Sequence, residues 1–168
     1  MSPDGEHAPD HDVADAALTA DDQILVEFIL QKFDELLGVL RQLDDEQANA
    51  TLPADGSNSV VQLVTHCCGM MRRWSSTVNL GMEVPRDRRA EFQAVMPAAE
   101  ALELAARTRE LFLKDVTQTD FDAAPVHVPP GRDHFWTASC RGVLFHVLEE
   151  IAQHLGQAEI TRDCLGGH

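Results

Sequence analysis

VLFHVLEEIAQHLGQAEITRDCL, residues 143–165, is the stretch whose reading decides the fold. Val143, Val147, Ile151, Leu155 and Ala158 recur three to four residues apart, the period of an amphipathic helix. Glu150 and His154 lie on the same apolar side, one turn apart, so carboxylate and imidazole converge on one point. A carboxylate facing a core is costly unless something positive meets it. Two partners can do so, a divalent metal ion or an arginine from another helix.

Three more helices follow from the same period. Thr19 opens the first, with Asp22 three residues on as a partial capping box. It carries Leu25, Ile29, Phe33, Leu36, Leu40 and Leu43 and is expected to end near Asp45. Gly38 inside it suggests a close neighbour. Ser59 and Gln62 form the capping box of the second, whose core face holds Val60, Leu63, Cys67, Met70, Trp74 and Val78. Gly81 and Pro85 close it. His66 sits about 60° from the centre of that face, at the seam with another helix. Pro97 suits the first turn of the third helix, which runs through Leu102, Ala105, Ala106, Leu113 and Val116. Residues 119–138, with Pro125, Pro129, Pro130 and Gly131, read as a long loop, and such loops are often functional. The last helix begins near Ser139. No strand pattern occurs, so the chain is expected to be all-α, a four-helix bundle in residues 19–168 behind a disordered acidic tail, 1–18.

The totals narrow the function. The chain has 168 residues and a formal net charge of −15. Residues 1–22 carry seven of the acidic groups and no Lys or Arg. An acidic surface repels phosphate backbones and anionic lipid, so neither nucleic acid nor a membrane is an expected partner. No apolar run approaches the roughly 18 residues of a spanning helix. The N-terminus lacks the basic and apolar regions of a secretory signal, which points to the cytoplasm. Cys67, Cys68, Cys140 and Cys164 include no C-x-x-C pair and read as ordinary thiols. Oligomeric state, monomer or homodimer, is open.

His66, Glu150 and His154 are the groups that the helices can bring together. Two imidazoles and a carboxylate suit Zn²⁺ first, and also Ni²⁺, Fe²⁺ or Mn²⁺. Three protein ligands leave a coordination position open for water or a thiolate. His146, one turn before Glu150, is an alternative to either histidine, and His127 and His134 in the loop are further ones. The competing reading is an Arg-paired Glu150 and a hydrogen-bonded core His154. Arg86, Arg88 and Arg89, with Arg72 and Arg73, make up five of the thirteen basic residues. They form either a solvated connector or a basic rim that attracts an anionic ligand. Trp136 and Phe135 either cover a pocket or anchor the loop. Gln157 is placed to steady a ligand from behind, and Gly156 to permit close helix packing.

HVLEEIAQHLGQAEITRD (146–163) resembles the last-helix signature of the DinB/YfiT-like superfamily of metal-binding four-helix proteins. VVQLVTHCCGMMRRW (60–74) is similar to the family segment that carries the first ligand histidine. Many members have His where this chain has Glu150. That departure resembles the branch allied to mycothiol-dependent maleylpyruvate isomerase and mycothiol S-transferase, as does RDRRAEF (86–92). The resemblance implies His66, Glu150 and His154 as metal ligands. It implies a divalent-metal-dependent transferase in which a small thiol, mycothiol-like, attacks an electrophile, with no side chain as nucleophile. Beside it, the reading of the residues themselves keeps Arg86, Arg88 and Trp136 as the candidate substrate-side residues and Gln157 as the candidate support. A metal-dependent hydrolase and a non-catalytic metal-binding stress module are the alternatives.

Overall fold

The computed structural model describes residues 18–166. The expected tail therefore lies outside the described residues, apart from Leu18, which is partly buried and packs on the core. The elements are α1 (Ala20–Leu40), α2 (Asp45–Asn49), α3 (Val60–Arg72), α4 (Arg88–Glu91), α5 (Ala98–Gln118) and α6 (Cys140–Cys164). α3 runs on without a break into a π-helical segment, Arg73–Asn79, and a 3₁₀ turn, Phe135–Ala138, precedes α6. There is no strand among the described residues. The four long helices form the bundle: α1 packs on α6, α3 on α5, and α3 on α6.

The helix starts follow from the capping residues. Thr19, Ser59 and Ser139 accept the backbone N–H groups of Asp22, Gln62 and Gly142, which would otherwise go unpaired. Every apolar residue expected to face the core from α1, α3 and α6 is buried. α5 is turned relative to expectation: Ala101, Ala105, Thr108, Phe112 and Val116 face inward, while Ala106 and Leu113 face out. α2 is an added turn, held by an Asp44–Gln47 capping box inside what reads as loop.

The π-helical segment meets a carboxylate from a distant part of the chain. Asp115 of α5 is buried and accepts from Arg72 Nη1 at 2.8 Å and from Ser75 Oγ at 2.6 Å, and Ser76 Oγ donates to the same oxygen. Bringing both neighbouring hydroxyls to one carboxylate widens the turn, as insertions at π-bulges do.

The glycines divide differently from expectation. A Cβ at Gly38 or Gly156 would meet nothing within 4 Å, so neither marks a close approach. The tightest approaches are at Gly69, where a Cβ would lie 1.9 Å from Glu91 Oε1, and at Gly142, where it would lie 2.2 Å from the Trp136 carbonyl oxygen, followed by Gly81 against Val126 Cγ1 at 2.5 Å. The loop 119–138 is tied both to the end of the π-helical segment and to the start of α6, which meet through Asn79 Nδ2 and the Cys140 carbonyl. Val126 and His127 donate to the carbonyls of Asn79 and Val78, and Cys140 and Arg141 donate to those of Ala123 and Phe121.

Candidate metal centre

His66, Glu150 and His154 each offer a donor atom, and the three atoms lie within 4.8 Å of one another. α3 supplies His66, which is 3% exposed, and α6 supplies the other two from one face. His66 Nε2 is 3.6 Å from Glu150 Oε2, and the two imidazole rings stand edge to face at 4.8 Å.

The second nitrogen of each histidine is already engaged. His66 Nδ1 is 2.9 Å from Glu91 Oε2, and His154 Nδ1 is 2.9 Å from Gln157 Oε1. With the Glu91 carboxylate and the Gln157 amide oxygen as acceptors, each Nδ1 can act as the donor, and in that tautomer Nε2 would be free to ligate a metal. This is the second-partner arrangement of ligating histidines, and the donor set fits a divalent cation.

Glu91 sits at the end of α4 with its carboxylate over Gly69, where no side chain obstructs it. Arg86 clamps it bidentately, Nε to Oε1 at 2.6 Å and Nη2 to Oε2 at 2.8 Å. Burial alone would raise the Glu91 pKa, but the bonds from Arg86 and His66 outweigh it and hold the carboxyl below its ordinary value. Burial likewise pulls His66 down, and Glu150 and Glu91 together hold it above the usual imidazole value. Glu150 is lowered, first by its bond to His66. Burial lowers His154, with the nearby His66 charge adding to it.

Phe92 stacks on His66 at 4.4 Å, and the Arg88 guanidinium lies 5.0 Å over the Phe92 ring. On the other flank Trp136 stacks on His146 at 4.0 Å, with Trp74 edge-on to both. His146 Nδ1 meets Glu149 Oε2 at 3.2 Å. Its Nε2 is buried without a hydrogen-bond partner, 3.4 Å from Glu150 Oε1. The converging set contains His66 and His154, while His146, the alternative to either, lies beside it against the other Glu150 oxygen. Phe135 is 93% exposed and covers nothing, whereas Trp136 packs against the core. Among the described residues no Arg or Lys pairs with Glu150, and Arg86 is committed to Glu91.

Sequence reasoning missed Glu91, Phe92 and Gly69. RDRRAEF was read for its arginines, yet its acid and its aromatic both reach His66. Burial raises the Cys67 and Cys68 thiols, Cys68 to about 12, and Cys140 to about 11, so none of these is an activated nucleophile.

The solved structures include one of similar fold, the crystal structure of a conserved protein of Enterococcus faecalis, at a TM-score of 0.68 and 16% identity, covering 90% of this chain and 100% of that one. No curated protein matches the sequence. The family model for mycothiol-S-transferase matches residues 24–167, a span that contains all of the bundle but the first turn of α1 together with His66, Glu150 and His154, and the chain belongs to that family.

Proposed function

We propose that the protein is a divalent-metal-dependent thiol S-transferase, with His66, Glu150 and His154 as metal ligands and Zn²⁺ as the first choice of metal. The observation that carries this is the convergence of one donor atom each from His66, Glu150 and His154 within 4.8 Å, with the Nδ1 atom of each histidine met by an oxygen acceptor. The family supports a small thiol as one substrate, with mycothiol as the candidate. A bound divalent cation would lower the pKa of a coordinated thiol and hold it as thiolate.

The chain's own groups set up the rest. Glu91 and Arg86 fix the ring of His66, and Gln157 fixes that of His154. Phe92 and Trp136 flank the centre with apolar surface and limit water. His146 Nε2, unpartnered beside Glu150, is placed to accept the proton that the thiol loses. A thiolate so held would be available to form a bond to an electrophilic carbon, whose leaving group would depart with its electron pair. Arg86 is assigned to holding Glu91 rather than to substrate. Arg88 and Trp136 remain the substrate-side residues, at the outer faces of Phe92 and His146.

The test begins with metal content. Protein purified without chelator is expected to carry a stoichiometric divalent metal, and His154→Ala to lose it while keeping its helical signal. Metal-loaded protein with thiol and 1-chloro-2,4-dinitrobenzene is expected to release chloride and form the thioether above the metal-free control. No bound metal in the parent under any supply overturns the assignment of the ligands. Metal without thioether formation from any thiol overturns the transferase and leaves a binding module. Turnover without thiol indicates hydrolysis.

A further inference from the structure

A cavity of about 510 Å³ lies between α3, α4 and α5, on the far side of the Arg86–Glu91 pair from His66. Its size is that of small-molecule sites. It contains none of His66, Glu150 and His154. Its walls are apolar, from Val84, Pro85, Ala94, Val95, Met96 and Leu104. Three arginines line it, Arg72, Arg73 and Arg86, in a chain that has only 13 basic residues against 28 acidic ones.

Each charge there can be accounted for. Arg72 is bound to Asp115 and Arg86 to Glu91. Asp87 caps α4 through the Ala90 N–H. The Arg73 side chain makes no hydrogen bond or ion pair among the described residues, and the residue is half-buried and lines the cavity. A cation beside an apolar hollow, with the neighbouring carboxylates already taken, is the complement of an anion with an apolar body. A polyanion is disfavoured, because the chain as a whole carries −15. Cys68 lines the cavity too, but burial raises its thiol to about 12, so the site binds and does not react covalently.

We propose that this cavity is a binding site for a small organic monoanion, a carboxylate or sulfonate on an aromatic or short aliphatic body, whose acid group is met by Arg73. The site is separate from the candidate metal centre and does not depend on the metal.

Isothermal titration of the full-length chain with 2-naphthoate, in parallel with the neutral 2-naphthamide, tests the proposal. Saturable binding of naphthoate at one site per chain is expected, with the amide weaker by roughly tenfold or more, as loss of a charge-assisted hydrogen bond predicts. Arg73→Gln is expected to bring naphthoate down to the level of the amide. Ala94→Phe, which fills the hollow, is expected to weaken both ligands. Arg41→Gln, an exposed arginine outside the cavity, is expected to change neither. The proposal is overturned if naphthoate shows no saturable binding, if the amide binds as well as the acid, or if Arg73→Gln behaves like Arg41→Gln. The acid–amide comparison uses the parent protein alone, so it stands even if a variant folds poorly. Repeating it after chelation separates the site from the metal reading, since binding should persist.

Discussion

Replacing Glu91 by Gln tests whether the carboxylate behind His66 sets the metal affinity. The two residues have nearly the same shape, so the exchange removes charge and one acceptor. In the parent, Oε2 accepts from His66 Nδ1 at 2.9 Å and from Arg86 Nη2 at 2.8 Å, and Oε1 accepts from Arg86 Nε at 2.6 Å. An amide can place its one oxygen at only one of these positions. If it faces His66, its NH₂ group faces Arg86 Nε, donor against donor. If it faces Arg86 Nε, the Nδ1 proton of His66 loses its acceptor. Either way the imidazole becomes less basic and less firmly oriented. Losses of this kind typically cost about 10–100-fold in metal affinity, or about 1.4–2.7 kcal/mol. The assay is a competition titration of Zn²⁺ against a chromophoric chelator, with far-UV circular dichroism to confirm the fold. Gly69→Ala should give a change in the same direction by a separate route, because its Cβ would lie 1.9 Å from Glu91 Oε1 and must displace the carboxylate. If Glu91→Gln binds zinc within twofold of the parent while fully helical, the carboxylate does not govern His66 and the reasoning fails.

Four further outcomes concern the scaffold. Gly142→Ala is expected to destabilise by about 1–3 kcal/mol in urea unfolding, because its Cβ would press on the Trp136 backbone, which cannot swing aside. Gly38→Ala, with open space around it in α1, is expected to stabilise by about 0.5–1 kcal/mol, and a loss there would contradict the packing described. Asp115→Asn, which disrupts the acceptor shared by Arg72, Ser75 and Ser76, is expected to cost about 3 kcal/mol, and an unchanged urea midpoint would refute that role. Asp22 gives a pH signature: burial raises its pKa, but the bond from Arg141 and that from Thr19 outweigh it, so the folded value falls below the ordinary 3.8. Stability from this group is present above 3.8 and lost as pH falls through the lowered value, so Asp22→Asn should flatten the acid limb of the stability–pH curve.

What was legible in the sequence was what repeats with the helical period. The apolar faces of α1, α3 and α6, their serine and threonine caps, and the one-turn spacing of Glu150 and His154 all follow from 3.6 residues per turn. His66 was legible as a seam residue for the same reason. Glu91 was not, because a four-residue helix is too short to display a period, and its acid stands in a run dominated by arginines. The turn of α5 was also hidden: Thr108 and Asp115 are polar by composition yet buried, so apolar residues alone misplace the face. The π-helical stretch depends on a carboxylate some forty positions away, and local pattern carries no sign of such a partner.

The question that residues 143–165 raised was what meets the charge of Glu150, and the arrangement of charge around it bears on the answer. An arginine does reach this part of the bundle, as the alternative reading required, but Arg86 closes on Glu91 instead. That pair balances itself one layer behind His66. Glu150 is left facing His66, His146 and His154, three rings that are neutral unless protonated. A half-buried carboxylate among neutral imidazoles has acceptor atoms in excess and no donor charge to match them. Two things relieve it: a proton taken up by His66, which is why that ring is held above its usual value in the protein alone, or a cation shared by all three donors. The arginine placed one layer back thus favours the second, because it leaves the front layer with lone pairs and a negative charge while holding the ring of His66 in the orientation that presents them.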